Sequence, residues 1–399
     1  MKVLLVSDVP PCTNFTAGIF LGQLLSFLPI DDVACFTVLN PAIDPIYPAS
    51  LATMNFNKVI KPREDWGNTA GKWGKYRSFV METLTSWRDI PRIVDAIVDF
   101  GQSVNADAIW CVLQGQSMIR LARPAARRLQ LPLLTSIWDP PGWWMRANKV
   151  HPAISEQVLT EFGETIRASS STGTASWAMA KEYGDRYGAK ATPLLPSLAP
   201  ELAVAPAKAP ATASHFTIGM AGQMYAQNEW NALIQALTQV DWRIAGRAVR
   251  IRLLGRWAGL GSNGKMFVEF LGWHSQEETI ELLSEADVLY CPYWFDPAFH
   301  EESRLSFPSK LTTYLAAGRP VLFHGPEYAS PAVFLEERSA GECCYSLEPE
   351  AIITSLTKLA SDEAYYQETA QNGSKAFMEC LTLPALQKNF LEFLRKASE

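Results

Sequence analysis

The stretch that decides the fold runs from Glu302 to Leu322 and has the sequence ESRLSFPSKLTTYLAAGRPVL. Ser306 is a predicted helix N-cap, and Pro308 suits the first helical turn, where its missing N–H costs nothing. Apolar side chains then recur at helical spacing, at Leu311, Tyr314 and Leu315. Gly318 is predicted to end the helix, and residues 320–323 to begin a buried strand. The stretch therefore predicts a loop, a short helix and a strand of an α/β domain.

The start of this helix is a predicted anion site. Free backbone N–H groups and the positive end of the helix dipole lie near Ser306, Ser309 and Lys310, and these features attract negative charge. Arg304 and the Lys310 ammonium add two positive charges. The alternative is an ordinary helix of an α/β domain that carries a basic residue in its first turn.

These residues resemble a signature of the GT-B glycosyltransferases, in the large retaining family that uses nucleotide sugars. The segments FPSKL at 307–311 and YLAAGRPV at 314–321 match its pattern P-S-K-L…Y-L-A-x-G-x-P-V. The resemblance implies an α/β fold of the GT-B type: two Rossmann-like doubly wound domains face a cleft, and the C-terminal helix crosses back to the first domain. It also implies transfer of a sugar from a nucleotide diphosphate sugar, of the UDP or GDP type, to a hydroxyl acceptor.

Length and composition fit this architecture. A chain of 399 residues is long enough for two α/β domains, and 48% hydrophobic with 19% charged residues indicates a globular protein. The net charge of −6 argues against nucleic acid as a partner, because nucleic acid requires a basic face. The 7 cysteines are scattered without a C-x-x-C pair, and residues 3–6 form a buried first strand rather than a signal peptide. We therefore expect a cytoplasmic protein with reduced thiols.

A Pro/Ala-rich segment divides the chain. Proline and alanine dominate residues 199–214, which is typical of a linker. The sequence thus predicts an acceptor domain at 1–198, a donor-nucleotide domain at 215–376, and a helix at 377–399 that packs on the first domain.

The acceptor domain is predicted to hold its reactive residues after the strand at 131–138. In the resembling family a His-Asp or His-Gly pair ends this strand, and here Trp138-Asp139 takes that place. Asp139 is the candidate base, because neighbouring aromatic rings such as Trp143 would stack on a sugar and partly desolvate the carboxylate. The alternative is that Asp139 caps the following turn. Gly18 corresponds to small residues that, in the family, touch the donor phosphate or the acceptor.

The donor domain departs from the family at its phosphate site. The family commonly carries an Arg and a Lys after the first strand of this domain. Here Gly222, which is itself a candidate for contact with the diphosphate, is followed by Gln223 and, further on, Asn228. Basic residues elsewhere are candidates to hold the diphosphate instead: Arg256, Arg304 and Lys310. Two family glutamates are also missing, since Leu305 and Thr313 occupy their positions, so the ribose contact is unassigned.

The nucleotide base is expected beside the strand at 268–272. Trp273 and His274 follow it and are the candidates for contact with the base. The alternative for His274 is a capping or solvent-facing role, since residues 275–278 predict a capping box.

No Asp-x-Asp motif occurs, so we expect neither an essential divalent metal nor another cofactor.

Two rival functions remain open: a GT-B-like binding or scaffold protein without transfer activity, and a sugar-nucleotide epimerase. Residues 40–78 are predicted to be either a mobile loop that shapes an acceptor pocket or an irregular insertion. An amphipathic helical region, broken near Pro91, is predicted at 79–101, and a short strand at 166–171. Trp143, Trp144 and Arg146 are an alternative contact with the inner membrane surface. The sequence leaves the oligomeric state open.

Overall fold

The computed structural model describes residues 1–64, 66–68, 73–209, 214–255 and 265–397. The chain forms two compact α/β units. Unit 1 consists of Met1–Leu194 and Gln387–Glu399, and unit 2 of Leu195–Leu386.

Unit 1 is a doubly wound parallel sheet. Its elements are β1 (Val3–Ser7), α1 (Thr16–Leu25), β2 (Val33–Leu39), β3 (Asn55–Ile60), α2 (Gly74–Leu84), α3 (Ile90–Ser103), β4 (Ala108–Val112), α4 (Gly115–Leu129), β5 (Leu133–Ile137), α5 (Pro141–Ala147), α6 (Pro152–Ala168), β6 (Ser171–Thr174), α7 (Trp177–Tyr187) and β7 (Ala191–Pro193). The strand order is β3-β2-β1-β4-β5-β6-β7. The chain therefore reverses direction across the sheet between β1 and β4, and ligands bind at such a switch point.

Burial explains why the central strands were readable from the sequence. Every residue of β1, β2, β4 and β5 is buried, which gives the continuous apolar runs of a parallel sheet covered on both faces. The edge strand β3 is mostly exposed and has no such run. It lies inside residues 40–78, so the prediction of a loop or irregular insertion throughout that region was wrong.

Two further boundaries differ from expectation. The strand predicted at 166–171 begins only at Ser171, because α6 continues to Ala168 and buries Ile166 on its apolar face. The helical region predicted from 79 begins earlier, at Gly74. It passes through one π-helical turn at Thr85–Asp89 before α3, which has Pro91 in its first turn.

Unit 2 repeats the same architecture. Its elements are β8 (His215–Ala221), α8 (Gln227–Gln239), β9 (Arg243–Ile244), β10 (Arg247–Leu254), β11 (Val268–Gly272), α9 (Gln276–Ser284), β12 (Val288–Pro292), α10 (His300–Leu305), α11 (Ser309–Ala316), β13 (Val321–His324), α12 (Ser330–Glu337), β14 (Glu342–Cys344), α13 (Pro349–Ser361), α14 (Glu363–Cys380) and α15 (Leu383–Arg395). The parallel order is β11-β10-β8-β12-β13-β14, with β9 antiparallel to β10. The switch point of this sheet lies between β8 and β12.

The second half of α15 belongs to unit 1, although α15 is the last helix described. Phe390 and Phe393 are fully buried there, with ring centroids 5.3 Å and 5.8 Å from that of Trp110. Asn389 donates to the carbonyl of Pro193 at 3.2 Å. The C-terminal helix thus completes the core of unit 1.

The predicted linker is only partly described, since residues 210–213 lie outside the described residues. Its earlier part is held against unit 2: Val204 N donates to Ala316 O at 2.8 Å and Ala207 N to Gly318 O at 2.9 Å. Among the helices that the structure describes, none has the length and apolar character needed to cross a membrane.

Candidate functional site

The switch point of unit 1 opens into a cavity of about 680 Å³. Side chains that follow β1, β2, β3, β4 and β5 line it, among them Asp8, Asn40, Lys61, Gln114 and Asp139. Parallel strands bring their carboxyl ends to one edge of the sheet, which is why residues so distant in sequence meet here.

A buried ion cluster forms one wall of this cavity. The Lys61 Nζ lies 3.0 Å from Asp8 Oδ2 and 2.8 Å from Glu64 Oε2, and it donates to the carbonyl of Gln114 at 3.1 Å. Burial lowers the pKa of Lys61, but the two carboxylates outweigh burial and the net pKa is raised. The other Asp8 oxygen, Oδ1, is buried without a hydrogen-bond partner among the described residues. The cluster therefore keeps a charged lysine and leaves one oxygen of the Asp8 carboxylate without a hydrogen-bond donor from the residues that the structure describes.

The same cluster anchors the start of α4. Glu64 Oε1 accepts a hydrogen bond from the backbone N–H of Ser117, so a carboxylate from a loop satisfies a free N–H in the first turn. Gly115 opens the helix with φ +81°, and a Cβ there would lie 2.6 Å from Glu64 Oε2 and 2.9 Å from Lys61 Nζ. Only glycine fits both this backbone conformation and this space.

Asp139 lies in the same cavity, half-buried after β5. Burial raises the pKa of its carboxyl group, and a hydrogen bond from Gln114 Nε2, 3.4 Å from Oδ2, opposes that rise. A carboxylate with a raised pKa is a stronger base than an exposed one. The described hydrogen bonds of Asp139 include no bond to a turn N–H, which the capping alternative would need.

The aromatic residues near Asp139 take different positions. Trp138 and Trp144 line the cavity, whereas Trp143 is half-buried outside it. Trp144 lies beside Lys61, whose Nζ is 5.9 Å from its ring centroid. The Trp143–Trp144 pair therefore does not form an exposed patch.

Gly18 does not line the cavity; its neighbour Ala17 does. A Cβ at Gly18 would collide with Cys12 Sγ and would lie 2.6 Å from the carbonyl oxygen of Pro10. Gly18 is thus a packing residue that lets α1 approach the loop after β1.

In unit 2, three glycines end neighbouring strands with positive φ. Gly222 and Gly255 follow β8 and β10 with φ of +87° and +108°, and Gly272 is the last residue of β11 with φ +80°. Gly222 N donates to Leu254 O at 3.0 Å and Gly255 N to Gly272 O at 2.6 Å. Because glycine has no side chain, the backbone at this edge is open to close approach by a ligand.

Lys310 reaches this edge from α11. Its Nζ donates to the carbonyl of Gln223 at 3.1 Å and lies 4.2 Å from the ring centroid of Tyr225. Its Cε is 3.9 Å from the position of a Cβ built on Gly222. Burial lowers the pKa of Lys310 to about 8, although Cys291 opposes that shift. The structure therefore brings together two residues proposed from sequence to hold a diphosphate, Gly222 and Lys310.

Three aromatic side chains, Tyr225, Trp294 and Phe299, form an aromatic wall next to Lys310 at the switch point. The rings of Tyr225 and Trp294 are 4.6 Å apart, and Trp294 stacks on Phe299 at 4.9 Å. Trp294 Nε1 donates to the carbonyl of Tyr225 at 2.9 Å. This wall fixes the loop after β8 against the loop after β12.

The start of α11 differs from expectation. The helix begins at Ser309, Pro308 occupies the N-cap position, and no side chain caps it. Ser306 is instead the extended C-cap of α10, so its assignment as the N-cap was wrong. Its carbonyl accepts from Tyr293 Oη at 3.2 Å, while its hydroxyl is buried without a partner in the described part of the chain.

The other diphosphate candidates are more scattered. Ser309 is exposed at the first position of α11, and Arg304 is half-buried in the last turn of α10. Arg256 lies outside the described residues, directly after Gly255.

The two candidates for the base follow β11. Trp273 is exposed beyond Gly272, whereas the His274 Nε2 contacts the carbonyl oxygen of Leu271 at 3.0 Å. The predicted capping box is confirmed: Ser275 Oγ accepts from Glu278 N at 3.2 Å, and Glu278 Oε2 accepts from Ser275 N at 3.0 Å.

Sequence reasoning missed several residues at both edges: Asp8, Lys61, Glu64, Gln114, Tyr225 and Trp294. Asp8 and Gln114 each follow a buried strand closely, and this signal could have found them. Among the described residues, no group of three or more His, Cys, Asp or Glu side chains is arranged to hold a metal ion.

Comparisons with known proteins bear on the fold. No protein-family model matches the sequence, and no curated protein matches it. Solved structures match over almost the whole chain. HepE from Anabaena, in complex with UDP and glucose, is 13% identical and has a TM-score of 0.63, with 99% of this chain and 100% of that chain covered.

Two further solved structures resemble the chain equally well. Sucrose-phosphate synthase from Thermosynechococcus elongatus is 13% identical, with 99% of both chains covered and a TM-score of 0.68. The lipopolysaccharide outer core galactosyltransferase WaaB is 12% identical, again with 99% of both chains covered and a TM-score of 0.68. Together with the two parallel-sheet units, this likeness confirms the predicted fold: the chain has the GT-B fold.

Proposed function

We propose that this protein is a glycosyltransferase that moves a sugar from a nucleotide diphosphate sugar to a hydroxyl acceptor. The observation that carries the proposal is the position of Lys310, whose partly desolvated ammonium lies beside the glycine-rich edge of unit 2. A diphosphate needs a positive charge and open backbone N–H groups. Lys310 supplies the charge, and the first turn of α11, which begins at Ser309, supplies N–H groups that have no partner within the helix.

The donor is proposed to bind unit 2. Lys310 and the N-terminus of α11 at Ser309 hold the diphosphate, and Gly222 and Gly255 leave room for its close approach. Ser306, Arg304 and Arg256 remain candidates for further phosphate contacts, and Trp273 and His274 for the base. A uridine donor is favoured over guanosine, because HepE has been solved with UDP and with UDP-glucose.

The acceptor is proposed to bind the cavity of unit 1. The acceptor oxygen forms a bond to the anomeric carbon, the bond from that carbon to the diphosphate oxygen breaks, and the hydroxyl proton passes to Asp139. The raised pKa of Asp139 suits this task, since a stronger base takes the proton more readily. Trp138 and Trp144 offer ring faces for stacking against a sugar.

The leaving diphosphate is proposed to need no divalent metal, and transfer is proposed to retain the anomeric configuration. Lys310 and the N–H groups at the start of α11 would offset the developing charge in preorganised positions. The test is transfer measured with and without EDTA, with the product anomer read from its proton NMR coupling constant.

A turnover assay tests the proposal as a whole. The purified chain is incubated with UDP-glucose, other UDP-sugars and GDP-sugars, with and without an acceptor panel, and free nucleoside diphosphate is measured. We expect nucleoside diphosphate to be released from one donor and an acceptor to increase the rate of release. In Lys310→Ala the rate should fall at least a hundredfold. Lys375→Ala is the matched control, because Lys375 is an exposed lysine on α14 of the same unit.

Two other results would redirect the assignment. If nucleotides bind but no nucleoside diphosphate is released from any nucleotide sugar, a binding or scaffold protein would be favoured. The neutral Gln223 in place of a basic residue, and Leu305 and Thr313 in place of two glutamates, are consistent with that alternative. A new sugar-nucleotide epimer formed without acceptor would favour an epimerase.

A further inference from the structure

Helix α2 and the π-helical turn after it carry an exposed apolar stripe. Trp73, Tyr76 and Trp87 are 75%, 71% and 79% exposed, and Val80 and Leu84 between them are also exposed. These five positions, which we call the α2 stripe, are spaced by three or four residues and therefore follow one face of the helical segment.

The opposite face of α2 is polar and buried, so its amphipathicity is inverted. Ser78 and Glu82 are both buried, and Ser78 Oγ donates to Glu82 Oε1 at 2.6 Å. Burial raises the pKa of Glu82. A helix that serves only the core turns its apolar face inward. In α2 the apolar face points outward and exposes aromatic rings to water. Burying these rings against another surface would be favourable, so the face is a candidate interaction surface.

The charge around the α2 stripe is positive. Arg77, Arg88 and Arg92 are exposed, whereas Glu82 is buried and Asp89 pairs with Arg88 at 2.9 Å. Among the described side chains of residues 73–92, no other acidic group balances these arginines. This local excess stands out because the whole chain carries a net charge of −6.

From these observations we infer that the α2 stripe is a membrane-surface anchor that binds anionic lipid. Tryptophan and tyrosine favour the interface between headgroups and acyl chains, where an apolar ring and a polar N–H or O–H are both satisfied. Arginines beside such a helix add attraction to anionic headgroups. A stripe one helix wide suits shallow insertion better than it suits a protein partner, which needs about 800 Å² on each side.

The inference does not depend on the nucleotide site, and its test uses no nucleotide. The full chain is sedimented with vesicles of phosphatidylglycerol and phosphatidylcholine, and separately with vesicles of phosphatidylcholine alone. We expect binding to the anionic vesicles, weaker binding to the neutral ones, and a decline as salt is raised.

Variants locate the contact. The double variant Trp73→Ser, Trp87→Ser should bind anionic vesicles at least tenfold more weakly than the wild type. Both rings are largely exposed, so its melting temperature should stay close to that of the wild type. Trp273→Ser is the matched control, since Trp273 is 79% exposed and lies outside the stripe, and it should bind vesicles normally.

Three outcomes would overturn the inference: no sedimentation of the wild type with anionic vesicles, undiminished binding by the folded double variant, or a wild-type dimer that the double variant dissociates. The last result, measured by light scattering, would assign the stripe to contact between two copies of the chain.

Discussion

At the scale of single residues, Lys310 illustrates how position sets chemistry. Its ammonium donates to Gln223 O and lies over the Tyr225 ring, and partial desolvation lowers its pKa to about 8. A lysine in this state gains more from a bound diphosphate than an exposed one would, because the anion restores the charge that burial disfavours.

The pH dependence of nucleotide binding follows from this pKa. Above pH 8 Lys310 is mostly neutral in the free protein. It must therefore take up a proton before it can pair with a bound anion. We expect the Kd for UDP to rise about tenfold between pH 7 and pH 9. In Lys310→Arg the charge persists throughout this range, so the Kd should be nearly flat. Isothermal titration at four pH values checks this, and parallel slopes in the two proteins would contradict it.

Gly115 gives a second test at this scale. Gly115→Ala combines a strained φ of +81° with a Cβ that collides with Glu64 and Lys61. We expect it to lower the free energy of unfolding by about 1–2 kcal/mol from the backbone and about 1–3 kcal/mol from overpacking. Gly246→Ala is the control, with φ +79° and open space, and should show the backbone cost alone. Equal losses in urea unfolding would refute the packing argument.

Sequence patterns identified some site residues and missed others for a physical reason. Lys310 and Gly222 sit in local motifs, so the sequence alone was enough to propose them. Lys61 and Tyr225 gain their importance from partners far away in the chain, Asp8 and Trp294, and no local pattern encodes such contacts.

At the scale of elements, the stretch around α11 shows where local signals are sufficient. Gly318 adopts φ +68° just after the helix, and β13 begins at Val321, as predicted. The helix α10 was missed because it is six residues long and too short for a periodic pattern. Its presence makes Ser306 a C-cap, which is why the N-cap prediction failed.

The ion cluster that joins the ends of β1 and β3 to α4 supports an element-scale prediction. Lys61→Met leaves the Asp8 and Glu64 carboxylates buried without their cation. We expect the free energy of unfolding to fall by about 3–5 kcal/mol at pH 8. Lys58→Met is the control, because Lys58 is an exposed residue of β3, the strand that Lys61 follows. An equal loss in the two variants, measured by urea unfolding, would contradict the prediction.

At the scale of the whole molecule, the architecture could be predicted from the sequence because two strongly buried parallel sheets produce long apolar runs. The edge strand β3 was not predicted, and of the helix α2 only the part from residue 79 was predicted, because neither element has an apolar face turned to the core. The α2 stripe shows that a helix with an outward apolar face departs from the pattern on which prediction relies.

The assignment of α15 to unit 1 predicts a remote effect. Phe390→Ala should lower the free energy of unfolding of unit 1 by about 3–5 kcal/mol, because the ring is fully buried against Trp110, Phe27 and Phe393. Leu391→Ala, at an exposed neighbouring position, should cost little. Differential scanning calorimetry of the two variants tests this prediction. Equal melting temperatures for Phe390→Ala and Leu391→Ala would contradict the packing of Phe390 in the core of unit 1.

The most direct measurement of the central claim is isothermal titration of UDP, GDP and ADP into the wild type, Lys310→Ala and Lys375→Ala, in buffer with EDTA. The account predicts that one nucleoside diphosphate, most plainly UDP, binds the wild type and Lys375→Ala with similar Kd and binds Lys310→Ala at least tenfold more weakly. Binding of none of the three, or equal binding to all three proteins, would contradict a nucleotide-sugar site at the glycine-rich edge of unit 2.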